Sequence, residues 1–320
     1  MSAIQLLREL IKASEKAANI ARVCRKDEHL FGLLIQEKPK DEANSRFEHD
    51  FKTLADCLIQ ETVKYDMEKL VLNGDKTAAL RLIDEVYREI DLDDDKWQIP
   101  NESVSLDHEI SELGIWIDPI DATAEYIQAK EKYSKFPNIM ASGLKCVTVL
   151  IGVFETVQGN PIIGVVNQPF ADEPEPNEFE GKVYWGLTIG DLKFNNIVSF
   201  ETEDRIAVLS PTEQSKYVEF LKKQLKYDIV YSSGAGYKIL KVCTGEAELF
   251  LLSRANTYKW DTCAPQAILR SLDGELFDLQ DTLVNKSLKK ISYRDTKVTR
   301  NTGGLIAYRN IEKFKDFLKL

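Results

Sequence analysis

An apolar run that ends on two acids does most to restrict how this chain can fold. Gly114-Ile-Trp-Ile reads as a strand that delivers Asp118-Pro119-Ile120-Asp121 at its C-terminal end, ahead of Ala122, Thr123 and a helical pattern through Tyr126. Pro119 fixes the backbone at the turn, and Asp121 is placed to open the helix. That arrangement sets two carboxylates and the Ile120 carbonyl around one point. The amides of Ala122 and Thr123 fall at the helix start, where partial positive charge suits a phosphate oxygen. Hard oxygen donors with open positions suit Mg²⁺, which favours carboxylates, water and substrate phosphate over a closed protein cage. On its own the segment also reads as a turn followed by an ordinary helix cap.

Two further segments carry similar chemistry. Lys259-Trp260-Asp261, followed by Thr262, Cys263, Ala264 and an apolar helix, places another carboxylate at a helix start. Ser232-Ser233-Gly234-Ala235-Gly236-Tyr237-Lys238 joins a predicted strand to a predicted helix. Its small residues let backbone approach a ligand, and Lys238 is placed to meet a second phosphate. It fails as a dinucleotide fingerprint because the third glycine of the pattern is missing.

Charge and composition narrow the function classes. The 320 residues carry 52 acidic against 42 basic side chains, a formal charge of −10, which argues against a general nucleic-acid surface. An acidic protein acting on anionic phosphates has to neutralise charge locally, with metal ions or a few placed cations. No run approaches the ~20 apolar residues of a spanning helix, the densest being Val147 to Phe154. Arg8, Glu9, Lys12, Glu15 and Lys16 interrupt the N-terminal stretch, so it does not read as a signal peptide, and a cytoplasmic location is expected. Cys24, Cys57, Cys146, Cys243 and Cys263 show no paired spacing and read as reduced core thiols. His29, His49 and His108 form no HExxH pattern, and no GxSxG elbow occurs. Asp91, Asp93, Asp95 and Glu102 have the spacing of a calcium loop, but Lys96 replaces its turn glycine and Pro100 falls inside it, so an acidic solvated loop is expected.

Periodicity predicts helices at Ala3–Val23, Phe51–Asp66 and Thr77–Ile90, the last after an Asn73-Gly74 turn. Strand runs follow at 114–117, 146–154, 161–167, 183–187 and 205–209, with an exposed acidic loop at 172–180. Beyond them the pattern alternates: helix 212–225, strand 228–232, helix 237–243, strand 248–252, a helix following Asp261, strand 305–308 and a closing helix from Ile311. The expectation is an α/β protein with two sheets, divided into an N-terminal part (1–202) with the Asp118/Asp121 segment and a C-terminal part (203–320) with the glycine loop and Asp261.

Taken together these segments resemble the lithium-sensitive, magnesium-dependent inositol monophosphatase superfamily. The resemblance also covers Ser14–Arg22, Asp50–Asp56, Ser142–Val153, Gly164–Phe170 and Gly303–Arg309. It implies a layered αβαβα sandwich with two sheets, and hydrolysis of the 1-phosphate of inositol 1,4-bisphosphate or 1,3,4-trisphosphate by a monomer using two or three Mg²⁺ and inhibited by Li⁺. A small inositol polyphosphate is the partner implied, with neither nucleic acid nor membrane. By the same resemblance Asp118 bridges two metals, Ile120 offers its carbonyl, and Asp121 and Asp261 complete the second metal. Asp56 matches an acid near a third metal, and Thr123 the hydroxyl that orients the attacking water. The substrate side falls to Ala122, Thr123, Gly234, Ala235, Gly236, Lys238 and Lys259.

The sequence departs from that pattern at two places. A Gly-Glu-Glu segment that supplies a first-metal ligand is missing where the chain passes from Met67-Glu-Lys into Leu70-Val-Leu-Asn-Gly-Asp75, and Ala122 stands where relatives carry Ser or Gly. Glu85, Glu89, Glu109 and Glu112 lie in the altered stretch as possible replacements. Two alternatives stay open: a 3′,5′-bisphosphate nucleotidase, and a weakly active protein that binds metal and phosphoinositol.

Overall fold

The computed structural model describes residues 2–26, 35–37, 51–53, 88–101, 104–106, 110–200, 204–285, 287–310, 314 and 317. Helix α1 (Ala3–Lys26) buries the predicted stripe of Ile4, Leu7, Ile11, Ala18 and Ala21. Ser14 on that stripe is satisfied locally, its hydroxyl donating to the Ile11 carbonyl at 2.8 Å. Strands β1 (Ile35–Glu37) and β2 (Phe51–Thr53) pair antiparallel, so the helix expected from Phe51 is corrected at its start. Phe and Thr both favour a pleated strand, and pairing with β1 satisfies their backbone. The remainder of that expected helix and the Asn73-Gly74 turn lie outside the described residues, as does most of the next helix, whose last residues, 88–90, have no regular structure.

The acidic stretch with calcium-loop spacing is put to other uses. Asp93 caps a short helix α2 (Asp94–Trp97) by accepting from the amides of Asp95 and Lys96, and Asp94 pairs with Arg8 on α1. Strand β3 (Leu113–Asp121) then leads into helix α3 (Thr123–Gln128), followed by the small pair β4 (Lys132–Tyr133) and β5 (Met140–Ser142). Strands β6 (Thr148–Glu155), β7 (Pro161–Glu175), β8 (Glu178–Ile189) and β9 (Leu192–Asn195) complete an antiparallel sheet in the order β3-β6-β7-β8-β9. The acidic loop expected at 172–180 is a hairpin instead: β7 and β8 pair through Asp172/Glu180 and Glu175/Glu178, although the stretch is largely exposed as expected. The ladder continues because its backbone groups find partners while the charged side chains remain in water.

The second sheet contains β10 (Ile206–Leu209), β11 (Asp228–Tyr231), β12 (Leu249–Leu252), β14 (Glu275–Asp278) and β16 (Leu305–Tyr308), in the order β11-β10-β12-β16-β14. Its first three strands run parallel, and β16 runs antiparallel to both neighbours. Between these strands lie α4 (Ser215–Lys223), α5 (Ala235–Cys243), α6 (Lys259–Ser271) and α7 (Leu279–Asn285), while β13 (Thr257–Tyr258) pairs with β15 (Arg300–Asn301). The closing helix expected from Ile311 falls almost wholly outside the described residues, of which Phe314 and Phe317 are buried.

Layering follows from strand alternation. Val149, Ile151 and Val153 of β6 face the core shared with α1, whereas Leu150 and Phe154 face a second core built with α5 and α6. The second sheet likewise presents Val208 and Phe250 to that middle core, and Leu209 and Leu251 to an outer one with Leu221 and Phe314. Both sheets are thus covered on both faces, giving the αβαβα sandwich expected. Cys24, Cys146, Cys243 and Cys263 are buried free thiols in these cores, and burial pushes Cys146 up to about 12. Cys57 and the three histidines lie outside the described residues.

What brings α6 against the first sheet is a row of missing side chains. Gly152 of β6, Gly164 of β7 and Gly186 of β8 stand directly opposite one another in the ladder. A Cβ at Gly152 would lie 2.5 Å from the Ala264 nitrogen, one at Gly186 2.6 Å from the Ser271 hydroxyl, and one at Gly164 on top of the Ala264 carbonyl. Glycine within a strand marks such a close backbone approach. Gly164→Ala should therefore destabilise the protein by about 2 to 3 kcal/mol, because the added methyl meets helix backbone that cannot rotate away. Urea unfolding checks this, and a loss under about 0.5 kcal/mol would show that the helix has room to lift.

Candidate metal centre

The three acids reach the site on two supports. Asp118 lies near the end of β3, Asp121 is its last residue, and Asp261 sits in the first turn of α6. The three are 8%, 8% and 9% exposed, and each offers a carboxylate oxygen within 4.8 Å of the others. Asp118 accepts from the Ile120 amide at 3.2 Å, and the Thr123 hydroxyl donates to the Ile120 carbonyl at 2.9 Å. The turn therefore gathers Asp118, Ile120, Asp121 and Thr123 as a unit.

Asp121 does not open the helix. It stays in the strand, and Ala122 becomes the residue before α3 in a left-handed conformation, φ 66° and ψ 45°, with no side-chain cap. The ladder explains this, because Asp121 still pairs with Thr148 of β6 after a register shift beyond Asp118. Its Oδ2 accepts from the Thr148 hydroxyl at 3.1 Å and from the Gly236 amide at 2.9 Å. Burial pushes the Asp121 carboxyl up, opposed by the charge of Lys238 and by these hydrogen bonds.

The glycine loop closes over this carboxylate. Gly234 has φ 73°, and a Cβ there would meet the Cys146 carbonyl at 2.8 Å and Asp121 Oδ2 at 3.3 Å. At Gly236 a Cβ would lie 2.8 Å from the Thr148 hydroxyl. The small residues, with Ala235 opening α5 between them, thus admit Asp121 and Thr148. Lys238 is 5% exposed, donates to the Ser232 carbonyl at 3.0 Å, and places its charge close enough to act on Asp121. Glu125 of α3 ties the same loop down by accepting from Ser233 at 2.8 Å and from the Gly143 amide at 2.8 Å.

Helix α6 starts at Lys259, earlier than the sequence suggests, which puts Asp261 at its third position. There Asp261 Oδ2 accepts from the Tyr258 amide at 2.7 Å. Tyr258 and Trp260 stack at 4.6 Å, and Trp260 meets Trp116 of β3 at 5.9 Å, joining the two acid-bearing elements. Lys259 donates to the Ser292 carbonyl at 2.6 Å, and burial pushes its ammonium down.

Of the proposed replacement acids, Glu89 and Glu112 are exposed, and Glu112 precedes Asp118 by six residues of chain, about 20 Å along an extended strand. Asp56, Glu85 and Glu109 lie outside the described residues. Among the described residues no fourth acid joins the three aspartates. The sequence reading passed over Thr148, whose signal is a hydroxyl heading an apolar strand, and Glu125.

A five-layered α/β sandwich with three buried aspartates converging from a strand end and a helix start defines an acid-centred site whose grouping could hold a metal ion. The inositol monophosphatase family profile matches residues 6–313, and this chain belongs to that family. Mouse (Mus musculus) inositol polyphosphate 1-phosphatase is 34% identical over 98% of this chain and 96% of its own length. Human (Homo sapiens) 3′(2′),5′-bisphosphate nucleotidase 1 is 27% identical over 83% and 81%. Among solved structures, CysQ from Bacteroides thetaiotaomicron, a bacterial member of the inositol monophosphatase family, superposes with a TM-score of 0.55 at 18% identity, covering 96% of this chain and 98% of that one, and supports the fold. The mouse alignment spans 383 positions, whereas 98% of 320 residues is about 314, so roughly 70 aligned positions of that relative have no counterpart here. No helix among the described residues is long and apolar enough to cross a membrane.

The left-handed Ala122 gives the site a measurable strain. An L-residue there costs about 1 to 2 kcal/mol, while glycine adds about 0.5 to 1 of unfolded-state entropy. Ala122→Gly should thus raise stability by roughly 0.5 to 1 kcal/mol, read as a higher denaturation midpoint at unchanged slope. A lower midpoint would mean that Ala122 is not strained.

Proposed function

We propose that this chain is a Mg²⁺-dependent phosphomonoesterase that removes the 1-phosphate from inositol 1,4-bisphosphate and inositol 1,3,4-trisphosphate. The observation that carries the reading is the convergence of Asp118, Asp121 and Asp261, in a chain 34% identical to an inositol polyphosphate 1-phosphatase across nearly its whole length. The donor set fits the ion: three hard carboxylates and the adjacent Ile120 carbonyl suit Mg²⁺, and three buried like charges favour a cation. When bound, Mg²⁺ would supply charge stabilisation to the phosphoryl oxygens and favour ionisation of water.

The chain's own groups do the placing. Asp118, the Ile120 carbonyl, Asp121 and Asp261 would hold Mg²⁺, and Asp56 would serve a further ion. The Thr123 hydroxyl, already held by the Ile120 carbonyl, orients the attacking water. Lys259 and the Gly234–Gly236 loop, with the amides of Ala122 and Thr123, face the substrate, and Lys238 acts on it through its charge. In this reading residues 1–202 supply the strand-borne acids and residues 203–320 the helix-borne acid and the loop. The protein works as a cytoplasmic monomer inhibited by Li⁺.

Phosphate release by the purified chain in Mg²⁺ should give a higher kcat/KM with inositol 1,4-bisphosphate than with adenosine 3′,5′-bisphosphate, and millimolar Li⁺ should lower it. Asp118→Asn, Asp121→Asn and Asp261→Asn should each reduce turnover about a hundredfold, roughly 3 kcal/mol in the barrier. Reversed substrate preference moves the chain to the nucleotidase branch, and an Asn variant with near-native turnover removes that residue from the site.

One observation favours a weakened form of this activity. The Gly-Glu-Glu segment is missing, no fourth acid joins the cluster among the described residues, and β3 has a single described strand neighbour, β6. Mg²⁺ tolerates water in place of a lost carboxylate, but positioning of the base contributes about 10² to 10⁴ in rate. Inserting a Gly-Glu-Glu strand after Lys69 should therefore raise kcat at saturating Mg²⁺ by at least about tenfold. A native chain that already matches the restored one has a substitute ligand.

A further inference from the structure

Thr148 begins β6 with its side chain wholly buried, opposite Asp121 in the ladder. A buried hydroxyl needs a partner, and its partner is Oδ2 of Asp121 at 3.1 Å. The same oxygen accepts from the Gly236 amide at 2.9 Å, so two donors from two different elements converge on one atom. Gly236 has to be glycine for this, since a Cβ there would sit 2.8 Å from the Thr148 hydroxyl. Strand end, strand start and loop therefore interlock around Oδ2. A carboxylate held by two donors on one oxygen has its plane fixed and its other oxygen aimed, which is how groups behind a ligand tune a metal site.

We propose that Thr148 is a positioning residue: with the Gly236 amide it holds Oδ2 of Asp121 and so fixes the orientation in which that carboxylate meets the cation it would share with Asp118 and Asp261. The proposal rests on the reading of these aspartates as a cation site. Lys238 adds its charge beside Asp121 while donating to the Ser232 carbonyl. The hydroxyl of Thr148 and the amides of Gly236 and Ala235 bond the carboxylate, and of these only the hydroxyl is removable by substitution.

The test is Mn²⁺ binding to the full chain, read from the electron paramagnetic resonance of the free ion, with unfolding of each metal-free variant measured in parallel. Asp121→Asn should lose binding at least a hundredfold. Thr148→Val keeps the shape without the hydroxyl and should weaken binding about tenfold to a hundredfold, Thr148→Ala should follow it, and Thr148→Ser should stay within about twofold of native. A merely structural threonine would lower the unfolding midpoint in the Val and Ala variants while the folded protein bound Mn²⁺ as before. Native-like affinity in either of those variants, or a Ser variant as weak as Val, overturns the proposal. Failure of both Val and Ala variants to fold likewise assigns Thr148 to structure. Native-like binding by Asp121→Asn sinks the metal-site reading itself, an outcome separate from failure of the Thr148 assignment.

Discussion

The contact on which the rest of the structure depends is the seating of α6 on the side-chain-free row of Gly152, Gly164 and Gly186. Helices ordinarily stand off a sheet by the depth of two side-chain layers, and here one of those layers is missing. Because α6 also shares the middle core with the second sheet through Cys263, Ala264, Ile268 and Leu269, its depth sets the spacing of the whole sandwich. It also sets where Asp261 arrives. A helix lifted by one methyl group would carry that carboxylate away from a strand end that cannot follow it.

Against that rigid frame the electrostatics of the site become intelligible. Three carboxylates that are each less than a tenth exposed repel one another where water screens them poorly. The fold answers with directed donors: Thr148 and Gly236 on Asp121, the Ile120 amide on Asp118, the Tyr258 amide on Asp261. Lys238 adds a buried positive charge close by. Each acid is thus oriented by donors from the protein, as groups behind a ligand orient it.

Much of this was legible in the sequence, for identifiable reasons. The three-and-four spacing from Ile4 to Ala21 gave α1, and the apolar runs of β6 and β10 gave strands buried on both faces. Asp118, Asp121 and Asp261 stood out because each followed or opened an apolar element. What stayed hidden were features set by long-range pairing. Asp121 looks like a helix cap locally, yet its ladder with Thr148 keeps it in the strand and forces Ala122 left-handed. The acidic hairpin looked like a loop because its side chains are in water, although its backbone is paired. The three glycines lie in separate strands, and only the register shows that they form one row.

Thr148, Asp121 and Gly236 also bear on the order in which the protein can assemble. Asp121 and Asp261 are 140 positions apart in the chain, and Gly236 is 115 from Asp121. Contacts that close loops of that length cost more entropy than the local helices and the hairpins of the first sheet. Asp261 and the Gly236 amide meet Asp118 and Asp121 only through those long-range contacts, so repulsion among all three acids requires α5 and α6 docked on the first sheet. Charge that is felt only beyond the folding barrier acts on the rate of unfolding rather than on the rate of folding, which sets the site's chemistry in tension with the kinetic lifetime of the native state.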